Sequence, residues 1–310
     1  MGLSRQILLR GSESRWLRDN IAHRAFVRRA VRRFMPGEAL DDAMRAAREL
    51  SGRGLGSVVT LLGENVSSPG ETGTVVSAYT DAIAASEAAG IDTDLSVKPT
   101  HLGLDLGEEL AFTNLDRLIG HAATTGRLVA LDMESSPYVD RTLELYRSLR
   151  RSHSNVGICL QAYLYRSERD LEELLALGPM IRLVKGAYNE PADLAFPDKA
   201  DVDANYLALA VRMLDARKAD PRVRIAFGTH DGRLIETIRR KAAELGVPPD
   251  AFEFQLLYGI GRELQDRLAR SGQPVRVLIS YGTHWFPWYM RRLAERPANV
   301  GFVLRSLARH

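Results

Sequence analysis

The chain has 310 residues, of which 45% are hydrophobic and 26% are charged, and its formal net charge is +3. This composition is typical of a globular protein and excludes a disordered chain, while the length suffices for one large domain or two ordinary ones. No apolar run is long enough to span a bilayer, and no secretory signal peptide is recognisable. The single cysteine, Cys159, excludes an intrachain disulfide, so a reducing, cytoplasmic compartment is expected.

The N-terminal segment is strongly basic. Residues 14–34 show the periodicity of an amphipathic helix ended by Pro36 and Gly37, and residues 1–34 contain nine arginines against Glu13 and Asp19. A solvated basic face is the simpler interpretation. The alternative is peripheral attachment to an anionic membrane, at the inner face of the cytoplasmic membrane. Nucleic acid is not expected as a partner, because no aromatic residues are interleaved for stacking.

A second helix is predicted over residues 39–50, so residues 1–54 are interpreted as an N-terminal helical arm. From residue 55 to residue 310, short apolar runs alternate with segments of helical periodicity. The predicted strands cover residues 57–62, 95–98, 128–132, 156–161, 180–185, 223–227, 252–256 and 275–279. The predicted helices between and after them cover residues 74–89, 108–123, 138–150, 168–177, 202–218, 233–245, 262–269 and 283–296.

Eight successive strand–helix units predict an α/β fold, a (β/α)8 barrel of the TIM type preceded by the N-terminal helices. A doubly wound open sheet is the alternative. Because no Gly- or Pro-rich linker divides the chain, we expect a single domain overall.

The fifth predicted strand carries two cations in an otherwise apolar run. Arg182 lies within it and Lys185 at its end, followed by Gly186. A charge inside a buried strand is costly unless it is paired or bound, so these cations either form structural ion pairs or face an anionic ligand. Gln161 and Gln255 close other apolar strands and also need partners. Because the carboxyl ends of barrel strands build the active site, these residues are candidates for it.

Familiar nucleotide and metal motifs are missing from the sequence. There is no Walker A loop, and Leu264 stands where a dinucleotide fingerprint starting at Gly259 needs its third glycine. We therefore interpret residues 259–261 as a turn. The histidines lack metal-ligand spacing, and no metal site is predicted.

Three longer motifs resemble the proline dehydrogenase family, and more narrowly its short, single-function bacterial members. They are Arg-Leu-Val-Lys-Gly-Ala-Tyr at 182–188, Phe-Glu-Phe-Gln-Leu-Leu-Tyr-Gly at 252–259 and Met-Arg-Arg-Leu-Ala-Glu-Arg-Pro-Ala-Asn at 290–299. The resemblance implies a distorted (β/α)8 barrel that binds FAD and oxidises L-proline to Δ1-pyrroline-5-carboxylate, the first step of proline catabolism to glutamate. It also implies hydride transfer from proline C5 to flavin N5, electron transfer to a quinone, and a functional link to a separate pyrroline-5-carboxylate dehydrogenase.

The resemblance also implies roles for individual residues. Asp132 and Arg182 would be catalytic, with Arg182 against the reactive edge of the flavin and Asp132 orienting Lys98. The implied proline-binding residues are Lys98, Arg291, Arg292, Glu64, Tyr188 and Leu183, and Glu64 would pair with Arg291 to gate the site. The implied FAD-binding residues are Met133, Gln161, Val184, Lys185, Gly186, Ala187, Thr229, His230 and Gln255.

The sequence departs from the family at Leu278, where a tyrosine is common on the eighth strand. Tyr281 is a candidate replacement. The departure bears on how proline packs and on substrate range, and leaves the implied carboxylate contacts unchanged.

Two other functions remain open from the residues alone. Lys98 and Lys185 at strand ends are compatible with a Schiff-base aldolase, in which a lysine is the nucleophile. A non-enzymatic role would instead rest on binding of a membrane or nucleic acid by the arginine-rich N-terminus.

Overall fold

A computed structural model describes residues 31–295, with side chains as far as residue 290. Eight parallel strands in these residues pair in sequence order and close into a barrel. The strands are β1 (Gly56–Leu61), β2 (Thr93–Val97), β3 (Val129–Leu131), β4 (Val156–Gln161), β5 (Met180–Val184), β6 (Arg224–Gly228), β7 (Phe252–Leu257) and β8 (Val275–Tyr281). β8 pairs with β1 from Arg276 opposite Gly56 to Tyr281 opposite Leu61. The predicted barrel is confirmed, and the alternative of an open, doubly wound sheet is wrong.

Helices connect the strands at the positions that the periodicity predicts. They are α1 (Leu40–Ser51), α2 (Pro69–Ala88), α3 (Glu108–Thr124), α4 (Val139–Arg150), α5 (Ser167–Leu175), α6 (Lys199–Ala219), α7 (Gly232–Leu245), α8 (Arg262–Arg270) and α9 (Trp285–Glu295). The largest difference is at α2, which begins at Pro69 rather than at residue 74. The Ser68 hydroxyl accepts a hydrogen bond from the Glu71 amide, and Pro69 is preorganised for the first helical position.

Side chains alternate along each strand between the helical layer and the barrel interior. On β5, Ile181 and Leu183 are fully buried in the main core between strands and helices. Met180 instead packs with Leu128, Ala130 and Ala226 in a separate cluster inside the barrel. Arg182 has the same parity as Met180, and it therefore belongs to the interior.

The ring of helices is distorted at the junction of β8 and β1. Buried residues of α1, such as Met44 and Leu50, pack in the main core beside β1 and β8. α9 follows β8, but its Trp285 and Tyr289 join a second cluster with Leu62 and Phe34. Leu62 directly follows β1, so this cluster lies at the carboxyl ends of the strands. The result is an apolar cover beside the mouth of the barrel.

Most of the predicted basic helix, residues 14–30, lies outside the described residues. The last residues of this predicted helix, which the structure does describe, pack closely on the loop beyond β7. A Cβ atom on Gly259, whose φ is +74°, would lie 1.6 Å from the Arg33 carbonyl oxygen, so only glycine fits this approach. The interpretation of residues 259–261 as a turn is confirmed. No helix among those described is both long and apolar enough to cross a membrane.

Candidate active site

Arg182 lies at the centre of the barrel and is 5% exposed. Its Nη1 donates to Gln255 Oε1 at 3.2 Å, and its Nη2 donates to Ser96 Oγ at 3.0 Å and to the Asp132 carboxylate. The Ser96 hydroxyl in turn donates to Asp132 Oδ1 at 2.6 Å. A buried guanidinium is tolerated because the carboxylate and two further acceptors replace its water. The cation is thus held in place by Ser96 on β2, Asp132 just after β3 and Gln255 on β7.

The first charged residues after β1 and β2 meet at the mouth. The Lys98 Nζ is 3.8 Å from Glu64 Oε2, and the lysine side chain is 14% exposed. Asn65, next to Glu64, has a left-handed φ of +53°, and its Nδ2 donates to Asp105 Oδ2 at 2.7 Å. Asp132 is bonded to Arg182 and Ser96, whereas the resemblance implied that it orients Lys98. Among the described side chains, the ion-pair partner of Lys98 is Glu64.

Glu134 is a buried carboxyl at this mouth that is not among the predicted site residues. It is 4% exposed and accepts hydrogen bonds from the Thr100 amide at 3.1 Å and from the Thr100 hydroxyl at 2.7 Å. Burial raises its pKa to about 7, although the nearby Lys98 lowers it in part. Burial and Lys98 also lower the pKa of His101 to about 4. The signal that could have identified Glu134 is its position just after β3, in the segment that forms the mouth of the barrel.

Gln161 closes β4 and is 2% exposed. Its Nε2 donates to the carbonyl oxygens of Met133 at 3.1 Å and Glu134 at 3.2 Å. Its Oε1 is buried and has no hydrogen-bond partner within the described part of the chain. Next to it, Gly186 has a φ of +117°, and a Cβ there would lie 2.4 Å from the Tyr163 ring. The ends of β4 and β5 therefore combine a buried acceptor with a backbone that excludes a side chain.

Lys185, the second cation of the β5 motif, lies between two helices. Its Nζ donates to Asp203 on α6 and to Asp231 Oδ2 at 3.2 Å, and Asp231 Oδ1 also accepts from the Arg233 amide at the start of α7. Both cations of the motif, Arg182 in β5 and Lys185 just after it, are therefore paired, as the structural interpretation of the motif requires. Whether Lys185 also contacts a cofactor stays a prediction.

The end of β6 is tied to β7 through His230. Its Nε2 accepts a hydrogen bond from the Leu257 amide at 3.0 Å, which places the ring proton of a neutral histidine on Nδ1. Thr229 is buried, and its hydroxyl accepts from the Asp231 amide at 3.1 Å. Both predicted cofactor residues thus lie at the mouth and shape its backbone.

The structure brings most of the other predicted residues to the same end of the barrel. Val184, Ala187 and Tyr188 are half-buried at the carboxyl end of β5. Arg291 and Arg292 lie in α9, directly after the apolar cover, but their side chains are outside the described part. The predicted pairing of Glu64 with Arg291 is likewise outside it.

Two predicted positions need correction. Leu183 does not line the barrel mouth, because it alternates with Arg182 and is fully buried in the helical layer. Tyr281 cannot replace a tyrosine at position 278, because residues three apart on a strand face opposite sides. Tyr281 packs in the main core, while Leu278 is half-buried and has the parity of the interior.

Glu134 should make the free energy of unfolding depend on pH. Its pKa is about 7 when folded against an ordinary 4.5, so its stabilisation is complete below about pH 4.5 and is lost as the pH rises through 7. In the wild type, we expect Glu134 to lower the free energy of unfolding by ~2–3 kcal/mol between pH 5 and roughly pH 8. In Glu134→Gln this part of the decrease should be absent, as measured by urea unfolding at each pH. Glu144→Gln on α4, an exposed carboxyl, is the control and should leave the slope unchanged. An unaltered slope in Glu134→Gln would contradict this assignment.

Comparisons with known proteins agree with the fold and the motifs. The family model for proline dehydrogenase matches residues 43–305. A proline dehydrogenase from Deinococcus radiodurans is 42% identical over 280 residues, covering 89% of this chain and 89% of that protein. Proline dehydrogenase 1 from Bacillus subtilis subsp. natto is 39% identical over 281 residues, covering 90% of this chain and 91% of that protein.

A solved structure shares the barrel. Proline utilization A from Bdellovibrio bacteriovorus, inactivated by N-propargylglycine, aligns with a TM-score of 0.78 at 24% identity, covering 86% of this chain and 32% of that one. This chain thus spans about a third of that larger protein, and the likeness shows the fold. The family match and the two bacterial relatives go further: this chain is an oxidoreductase that belongs to the proline dehydrogenase family.

Proposed function

We propose that the protein is an FAD-dependent L-proline dehydrogenase that forms Δ1-pyrroline-5-carboxylate and passes its electrons to a quinone. The observation that carries the proposal is the fixed cation at the barrel centre. Arg182 is held by Asp132, Ser96 and Gln255, with the Lys98–Glu64 pair at the mouth. Fixed positive charge next to the reacting atoms stabilises the negative charge that a hydride acceptor gains, with no reorganisation during the reaction.

The residues at the ends of β4 and β5 fit a flavin cofactor. FAD, when bound, supplies the acceptor for the hydride that leaves proline. Gln161 offers a buried acceptor atom for a ligand donor, and Gly186, just beyond β5, lets the Tyr163 ring pack directly on the backbone beside it. Met133, Thr229 and Gln255 are buried around the same end of the barrel. These residues would hold the cofactor together with the remaining FAD-binding positions implied by the sequence motifs.

The substrate carboxylate would be bound by Lys98, Arg291 and Arg292. Arginine and lysine donors to one carboxylate fix a small amino acid at several points and keep its ring carbon near the acceptor. A pocket rich in positive charge also disfavours the ammonium form of proline, which must lose a proton before hydride transfer. The apolar cluster of α9, Phe34 and Leu62 lies beside this mouth and would exclude water.

The aldolase alternative has less support. The Lys185 ammonium is held by Asp203 and Asp231 at the edge of the mouth, and the Lys98 ammonium is paired with Glu64 at 3.8 Å. Both lysines are therefore ion-paired rather than presented as nucleophiles. Peripheral binding to an anionic membrane stays a prediction for the arginine-rich segment, and transfer of the product to a separate dehydrogenase stays a prediction for its metabolic partner.

The absorption spectrum of the purified protein tests the proposed reaction. We expect flavin bands in the visible region, which L-proline bleaches in the absence of oxygen because it delivers two electrons to the cofactor. L-Alanine carries the same carboxylate without the ring and is the control, expected to leave the bands unchanged. A colourless protein that binds no added FAD would contradict the proposal.

The arginine pair of α9 should act on substrate and not on cofactor. We expect Arg291→Met or Arg292→Met to raise KM for L-proline at least ~10-fold, since each loses a charged hydrogen bond to the carboxylate. FAD content, measured by released flavin, should stay at the wild-type level. The exposed Arg262 at the same mouth provides the matched control, Arg262→Met, with an unchanged KM. Equal loss of flavin in both α9 variants would assign the pair to the cofactor.

A further inference from the structure

A second charged group lies below Arg182, at the amino-terminal end of the barrel. Arg276 on β8 has its Nε 3.2 Å from Glu253 Oε2 and 3.3 Å from Asp94 Oδ2. Its Nη2 is 2.9 Å from Asp92 Oδ2. We call these four residues the basal cluster. This end of a barrel ordinarily serves stability, and nothing in the proposed reaction requires the basal cluster.

One side chain connects the basal cluster to the candidate active site. Gln255 is 7% exposed; its Nε2 donates to Glu253 Oε1 at 2.6 Å, and its Oε1 accepts from Arg182 Nη1 at 3.2 Å. The two ends of its amide therefore have partners of opposite kind. An ionised carboxylate only accepts and a guanidinium only donates, so one amide orientation satisfies both. Reversal would place the amide NH2 against Arg182, donor facing donor.

We propose that Glu253 is a positioning residue of the flavin site, acting through the Gln255 amide on Arg182. This inference rests on the proposed FAD-dependent function. By holding the amide nitrogen of Gln255, Glu253 keeps the carbonyl oxygen turned to Arg182, where it offsets part of the guanidinium charge. Glu253 thereby sets both the geometry and the net charge of the surface that the cofactor would contact.

The basal cluster contains a control residue, Asp92, that binds Arg276 but does not contact Gln255. Asp92 binds Arg276 at the exposed rim of the basal cluster, with its side chain 65% exposed, whereas Glu253 is the member bonded to Gln255. Asp92→Asn therefore perturbs the basal cluster and leaves the Glu253–Gln255 hydrogen bond in place. Glu253→Gln perturbs both, because a glutamine both donates and accepts and no longer enforces the orientation of Gln255.

The test compares FAD binding and flavin potential in the full chain. We expect Glu253→Gln to weaken FAD binding about fivefold, the order expected from one lost hydrogen bond. We also expect a more positive reduction potential, because removal of a negative charge favours the more negative, reduced cofactor. Asp92→Asn should change neither quantity. Glu253→Asp keeps an accepting carboxylate but places it one methylene farther from Gln255. This variant replaces Glu253→Gln if the latter does not fold, and it should shift FAD affinity and reduction potential in the same directions by a smaller amount.

Thermal unfolding of the cofactor-free variants is measured in parallel. The proposal is overturned if FAD affinity and reduction potential are unchanged in both Glu253→Gln and Glu253→Asp. Glu253 would then be structural only, even if both variants unfold at a lower temperature. Equal shifts in Asp92→Asn would also overturn it, because they would trace the effect to the basal cluster as a whole. A wild-type chain that binds no added FAD would instead overturn the proposed function, and this inference with it.

Discussion

The interior of this barrel is organised by the ion pair between the buried Arg182 and the half-buried Asp132. Removal of a guanidinium from water costs several kcal/mol, and the cost is recovered only where acceptors surround the group. Asp132 supplies the charge, while Ser96 and Gln255 supply further acceptors from β2 and β7. An apolar side chain at any of these positions would leave a buried donor unsatisfied. The layer of the barrel interior around Arg182 is therefore polar, and the apolar cluster of Met180 lies next to it.

The distortion of the helical ring places an apolar cover beside the polar residues of the barrel mouth. α1 packs beside β1 and β8, where the last helix of a regular barrel would lie. α9 is thereby placed near the carboxyl ends of the strands, with Trp285 and Tyr289 packed on Leu62 and Phe34. The same arrangement provides an apolar cover and carries the backbone of Arg291 and Arg292 to the mouth. The packing of the barrel and the proposed binding of substrate thus both depend on the displaced position of α9.

Much of the fold was predictable from the sequence, because strands buried on both faces read as apolar runs and eight such runs indicate a closed barrel. The predicted ends of the strands are less accurate. Lys98, Asp132 and Lys185 are the last residues of predicted strands, but they lie just beyond the observed strands, in the loops that form the mouth. The identity of partners was not predictable, because Lys98 with Glu64 and Arg182 with Asp132 are contacts between distant parts of the chain. The error at Leu183 was avoidable, since strict alternation with Arg182 already assigned it to the other face.

The interaction of Arg182 with Asp132 can be measured directly by a double-mutant cycle on urea unfolding of the cofactor-free protein. Asp132→Asn should lower the free energy of unfolding by ~3–5 kcal/mol, because it leaves the buried Arg182 uncompensated. Arg182→Met should lower it by less, because the Asp132 that it leaves unpaired is only half-buried. The double variant should lose clearly less than their sum, with a coupling energy of ~1 kcal/mol or more. Additive losses would show that the carboxylate does not hold the arginine, and would contradict the view that this pair fixes the cation at the centre of the barrel.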